Sequence, residues 1–436
     1  MKYKIILFYL LLFSFQANAQ ETIAFKSIDE VLAYAEKNAS IFKISKEQIT
    51  LTKYQTLIAK INIFNPRGNA TATATDNLQL PSNYLPAEVF GGVPGTFKET
   101  QFGQQYISAI NITPQIDLIN IQSWQKIKAS KINENLSETT QLLIKKNLFE
   151  NIATIYYSIV SIQNQIKVLD TNYANNKKIE DVVTNKNQQG LARQQDVNQA
   201  TVNLLQIEDK KSQLVTALLQ QKNALKVLCD ASLETNFEIT NSESKIQNIT
   251  TIEVSNKLLS QQSNLQKELS QQELKSYKSS FYPTLSAVGN WAYQDNSNIG
   301  FLNVNSNAFQ SSYIGLRLNY LFPEASKYLQ KRTLKTNFNI AQETAKHNQI
   351  LEKSTNDQLK LEYKKIIDSN NISEKILILK TDTYNKNLEI YQQDLVSIDN
   401  LLISFNDKLN AELNKIISQV NADYLRTKIN INNTIK

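Results

Sequence analysis

The sequence predicts a mainly α chain with a small β part, in which very long helices fold into antiparallel coiled-coil hairpins and four short strands stand between them. Proline occurs only at positions 66, 81, 86, 94, 114, 283 and 323, and every glycine except Gly190 falls in the same two regions. Residues 115–282 hold that one glycine and no proline, and residues 324–436 hold neither, so little interrupts a helix there. The apolar period also changes along the chain. It has coiled-coil spacing in the long stretches and strict alternation where the breakers gather.

The first element is a leader. Lys2 and Lys4 precede an apolar run at 5–15, followed by Ala17-Asn18-Ala19, the small-x-small form accepted by signal peptidase. Residues 1–19 are expected to be a signal peptide, leaving Gln20 first. The run is too short to span a bilayer, and no later stretch reaches the roughly 18 uncharged apolar residues of a transmembrane helix. Membrane insertion would have to use strands. Removal of the two leader lysines takes the formal charge from +7 to +5, and no dense Lys/Arg block with interleaved aromatics suggests nucleic acid.

Residues 20–250 form the first predicted repeat: a helix, strands near 69–79 and 106–118, and a long helical hairpin over 123–228. Tyr106, Ile110, Ile112, Ile116 and Leu118 alternate with Asn111, Thr113, Gln115 and Asp117, while the earlier strand alternates Thr with Ala more weakly. Within the hairpin, Ile152, Ile155, Ile159, Ile162, Ile166 and Leu169 step by threes and fours, a coiled-coil stripe. A helix over 124–187 would be on the order of 95 Å long at about 1.5 Å per residue.

Residues 251–436 repeat the order: a helix, strands near 281–294 and 311–322, and a hairpin over 324–430. Leu285, Ala287, Trp291 and Tyr293 form one face of the third strand, and Ile314, Leu316 and Leu318 one face of the fourth. Leu402, Phe405, Leu409, Leu413, Ile416 and Val420 give the stripe of the second hairpin. Phe64-Asn65-Pro66 corresponds to Phe281-Tyr282-Pro283, where proline is expected to hold the preceding residue extended. Residues 189–197 align without gaps with 393–401, so Gly190, suited to a left-handed helix end, stands opposite Asp394.

Strands of this length with one apolar and one polar face suit an outer-membrane barrel. Four strands cannot close one, and open edges in lipid leave backbone groups unpaired, so such a chain must oligomerise; three copies would supply twelve strands.

These residues resemble the TolC-like outer-membrane efflux family over essentially the whole mature chain. The resemblance rests on the repeated aromatic-x-Pro strand entry, the hairpin pattern Gly190-x-x-x-x-x-Asp196-Val197 and the twofold order of elements. It implies a homotrimer with a twelve-stranded β-barrel in the outer membrane and a periplasmic α-barrel. Its partners would be outer-membrane lipid, a periplasmic adaptor (membrane fusion) protein and an inner-membrane pump, and small molecules would pass to the exterior unchanged. The hairpin turns would meet the adaptor through Gly190, Leu191, Ala192, Leu395 and Val396. Candidates for charge at the pore mouth are Asp196, Asp394 and Asp399, with Asn400 standing where the second repeat lacks the first repeat's aspartate.

No enzyme signature appears. There is no Gly-rich phosphate loop, nucleophile elbow or paired-acid arrangement. His347 is the only histidine and Cys229 the only cysteine, so no disulfide, metal or other cofactor is expected. The competing readings are a type I protein-secretion duct, a secreted structural coiled coil and a passive porin. A porin should be dominated by strand.

Overall fold

The computed structural model describes residues 22–240, 253–303, 306–322 and 324–435. The expected signal peptide, 1–19, lies outside them. Seven α-helices occur among the described residues: α1 (Ile28–Asn38), α2 (Ser40–Ile61), α3 (Ile121–Gln188), α4 (Gln194–Leu228), α5 (Leu258–Ser279), α6 (Ala325–Gln392) and α7 (Ile398–Thr434). Helices α3 and α6 are each 68 residues long. Each breaker-poor stretch thus holds one uninterrupted helix of that length, followed after a short turn by a second long helix, α4 or α7.

Contacts divide the chain into two compact units. The first is built from the described residues of Met1–Glu47, Glu138–Gln262 and Lys346–Lys436. Its core holds the predicted stripes: Ile152, Ile159, Leu169, Phe405, Leu409 and Val420 are all buried. Phe25 and Phe237 meet edge to face at 5.1 Å where β1 (Thr22–Phe25) runs parallel to β6 (Asn236–Ile239). At four residues each, these strands are too short to leave a periodic signal. The N-terminal helix is also broken at Ala39, which is extended, and the Asp230 carboxylate accepts the backbone N–H of Ser40 at the start of α2. A carboxylate distant in sequence thus supplies the helix cap.

The second unit, Gln48–Ser137 with Ser263–Ala345, contains one four-stranded antiparallel sheet. Its strands are β2 (Arg67–Asp76), β5 (Tyr106–Ile119), β7 (Thr284–Ser297) and β8 (Asn307–Asn319), in the order β2-β5-β7-β8. The bounds correct the expected 281–294 and 311–322. Strand β7 cannot begin before Pro283 releases the chain from α5, and the ladder runs on into the polar link because backbone pairing continues through Asp295↔Ala308 and Asn296↔Asn307. The link between β2 and β5 also holds an unforeseen hairpin, β3 (Ser82–Pro86) with β4 (Phe97–Gln101).

Asn65 departs from the expectation of an extended residue before proline: its φ is +41°. Asparagine tolerates this region, and here its Nδ2 donates to Asp117 Oδ2 at 3.3 Å, holding the turn. Tyr282, its counterpart before Pro283, has no such φ among the described residues.

Candidate functional site: a two-faced sheet and two matching hairpin turns

The register of the sheet brings like residues onto one face. One set of rows reads Ala72, Ile110, Tyr293, with Gln310 at the far end of β8, and Ile116, Ala287, Leu316; the alternate set reads Thr71, Asn111, Ala292, Ser311 and Asp117, Ser286, Arg317. Alternation along each strand thus adds up to an apolar face and a polar face. The apolar face is open: Ile314 is 92% exposed, and Leu316 and Leu318 are mostly exposed. Strands β2 and β8 each pair on one side only, leaving two free edges.

A polar cluster at one end of the sheet was not foreseen. The buried Asp117 carboxylate accepts from Ser286 Oγ at 2.8 Å, Asn120 Nδ2 at 3.1 Å and Asn65 Nδ2 at 3.3 Å, with Arg67 at 3.5 Å. These residues join the end of β5 to the starts of β2 and β7. In sequence the aspartate reads only as one polar member of an alternating strand.

In the first unit, the two hairpin turns are built alike. After α3, Gly190 has φ +74°, its N–H donates to Asn187 O at 2.9 Å, and the Leu191 N–H donates to Lys186 O at 2.8 Å. After α6, Asp394 has φ +60°, its N–H donates to Tyr391 O at 3.1 Å, and the Leu395 N–H donates to Ile390 O at 3.2 Å. Both are Schellman endings with a left-handed residue two positions past the last helical residue. The second residue of each turn is left outward: Leu191 is 70% and Leu395 73% exposed. Gly190 is exposed as well, while Ala192 and Val396 are half-buried.

The following helices start by complementary devices. At α4 the Asp196 carboxylate accepts the Arg193 backbone N–H at 2.9 Å and meets the Arg193 guanidinium at 3.1 Å. At α7 the Ser397 hydroxyl accepts the Asn400 N–H at 3.4 Å. Each repeat keeps one half of a capping box. The backbone bond from Arg193, reinforced by its side chain, holds the Asp196 carboxyl below the usual carboxylate range against the opposing effect of burial.

The candidate charges therefore differ in circumstance. Asp196 is half-buried and engaged as a cap. Asp394 is exposed but ion-paired with Lys186, whose ammonium also lies over the Tyr391 ring, 4.7 Å from its centroid. Burial, and then the Asp196 and Asp394 charges, push the Tyr391 hydroxyl up. Asp399 is exposed in the first turn of α7, and Asn400 is exposed beside it. Lys186 and Tyr391 were not singled out from sequence, where nothing marks Lys186 as the partner of an aspartate 208 positions away.

Among the described residues no group of three or more His, Cys, Asp or Glu could hold a metal ion. His347 is exposed on α6. Cys229 is buried in the core, and burial, with Asp230 beside it, pushes its thiol up to about 12. No described helix is long and apolar enough to cross a membrane.

A mainly α chain with one small sheet, apolar on one face and free at both edges, has the architecture of TolC-like outer-membrane factors, and the fold is theirs. It superposes on the outer membrane protein VceC from Vibrio cholerae with a TM-score of 0.71 at 14% identity, covering 92% of this chain and 94% of that one. The outer-membrane channel OprN gives 0.77 at 11% identity, covering 93% and 89%. The Campylobacter jejuni CmeC outer membrane channel gives 0.70 at 15%, covering 93% and 85%. No protein-family profile matches the sequence, and no curated protein sequence matches it.

Proposed function

We propose that this chain is an outer-membrane channel subunit of an export system, without catalytic activity, whose copies close one barrel from their four-stranded sheets. The observation that carries the reading is the sheet itself, with an exposed apolar face and two unpaired edges. In lipid each unpaired backbone group costs several kcal/mol, so β2 of one copy takes β8 of the next until the ring closes. Three copies of four strands give a twelve-stranded barrel, and the helices project into the periplasm. The likeness in fold to outer-membrane channels supports this reading.

A periplasmic adaptor fits the hairpin turns, where Leu191 and Leu395 stand exposed at matching positions beside Gly190, Ala192 and Val396. Such a partner would couple the duct to an inner-membrane pump, and small molecules would pass through unchanged. Leu191→Asp with Leu395→Asp should abolish adaptor crosslinking while leaving the thermal transition in place. Retained crosslinking would remove these turns from the contact.

The primary test is the native mass of the protein extracted in detergent from purified outer membranes, followed by conductance in planar bilayers. A trimer that forms pores is expected. A monomer, or recovery only in the soluble fraction, overturns the channel reading and restores the coiled-coil rod.

A further inference from the structure

The strand register places the start of β2, the end of β5, the start of β7 and the end of β8 together, through Arg67↔Gln115, Ile119↔Leu285 and Thr284↔Asn319. All four helix ends that adjoin strands in sequence follow from that end of the sheet. Exposed aromatic side chains mark the transition: Tyr320 and Phe322, edge to face at 5.3 Å, then Tyr282, Trp124 and Tyr328. Rings that are apolar with one polar atom gather where hydrocarbon gives way to headgroups.

Beyond the aromatics the chain becomes basic. Helix α6 opens with Lys327, Lys331, Arg332 and Lys335, and residues 325–342 contain no Asp or Glu. Lysines at i, i+4 and i+8 share a helix face, here about 12 Å long at 1.5 Å per residue. Lys331, Arg332 and Lys335 are exposed, and none of the four makes an ion pair among the described residues. Exposed Lys126 and Lys128 stand in the first turns of α3, and exposed Lys275 and Lys278 in the last turns of α5. The opposite end of the sheet has the other sign: Asp76 and Asp295 in the strands and Glu88 and Glu99 in the link between β2 and β5 stand against Lys98 alone.

A second copy does not supply the missing anions. The proposed barrel brings the neighbour's β2 against β8, and the part of α2 that leads into β2, residues 48–61, carries Lys53 and Lys60 and no carboxylate. The carboxylates nearest the band are exposed Glu324, just ahead of α6, and Glu273 in α5, two against eight basic residues, so repulsion between copies would remain largely uncompensated.

We propose that this basic band, centred on Lys327, Lys331, Arg332 and Lys335, binds the phosphodiester headgroups of anionic phospholipid in the leaflet on the helix side of the membrane. The proposal rests on the outer-membrane reading. The apolar face of β8 sets the depth, the aromatics lie at the boundary, and long basic side chains reach back to the phosphates. A basic residue near an anionic membrane surface gains about 1 kcal/mol, roughly a fivefold preference.

The test uses the full chain. Flotation with vesicles establishes insertion, and native mass spectrometry of detergent-solubilised protein offered equal phosphatidylglycerol and phosphatidylcholine reads the bound lipid. At least about fivefold enrichment of phosphatidylglycerol is expected for the wild type, lost at about 0.5 M salt where screening is short-ranged. Enrichment should fall to near unity in K327Q/K331Q/R332Q/K335Q and persist in K364Q/K365Q, which alters exposed lysines farther along α6. Insertion with no enrichment, or undiminished enrichment in the quadruple variant, overturns the lipid proposal alone. A quadruple variant that keeps enrichment but loses its oligomeric mass also overturns it and makes the face a subunit contact. Failure of the wild type to insert overturns the outer-membrane reading with it.

Discussion

Gly190 and Asp394 hold the same backbone position in the two hairpin turns, at φ +74° and +60°, and reach it at different cost. Glycine has no Cβ penalty there, whereas an L-residue with a side chain loses about 1–2 kcal/mol in the left-handed region. An added Cβ at Gly190 meets nothing within 4 Å, so Gly190→Ala isolates the backbone effect and should lower stability by about 1 kcal/mol in denaturant titration. Asp394→Gly relieves that strain and loses an exposed ion pair with Lys186, itself worth about 0–1 kcal/mol. The net change should lie within about 1 kcal/mol of zero, and Asp394→Ala should be less stable than Asp394→Gly. At Asp196 the carboxyl is depressed below its ordinary 3.8 in the folded chain. Its contribution is therefore complete above the unfolded value and disappears as pH falls through the lowered folded value. Asp196→Ala should cost about 0.5–2 kcal/mol at neutral pH, and the difference from wild type should vanish in acid.

At the scale of elements, the sheet has an apolar and a polar face, which in the proposed barrel meet lipid and water respectively. Leu316→Arg places a cation on the apolar face and should cost about 2–4 kcal/mol at mid-depth, seen as loss of protein from the outer-membrane fraction. Ser311→Arg, on the opposite face of the same strand, should leave that fraction unchanged. Asp117 ties the end of β5 to β7 and to the turns beside β2 and α3 by accepting from Ser286, Asn65 and Asn120. Asp117→Ala leaves those donors without their acceptor and should destabilise by more than Asp196→Ala, since each buried unsatisfied group costs about 1–3 kcal/mol. Comparing the thermal transitions of the two variants checks the order. Helix extents were legible because breakers delimit them: 123–228 and 324–430 were expected, against α3–α4 and α6–α7. The β3–β4 hairpin and the β1–β6 pair were not, because five-residue and four-residue strands hold too few positions for a period to show.

At the scale of the molecule, the proposed assembly would carry the hairpin turns in every copy, so a single aspartate becomes a ring. Asp394 and Asp399 are both exposed, the first already paired with Lys186 and the second, in the first turn of α7, without an ion pair among the described residues. A ring of carboxylates at an aqueous constriction favours cations. Asp399→Asn should therefore reduce cation over anion selectivity in planar bilayers more than Asp394→Asn, and unchanged selectivity in both variants would remove these residues from the pore mouth. The sequence by itself determined where the chain is helical, where it alternates and that the order recurs, because period and breakers are local properties that need no partner. Tertiary structure alone decided that all four strands enter one sheet in the order β2-β5-β7-β8, that Lys186 meets Asp394, and that Asp117 is the acceptor shared by three elements. Those contacts join residues as many as 208 positions apart, and local periodicity does not specify which distant side chain will complete a charge or a hydrogen bond.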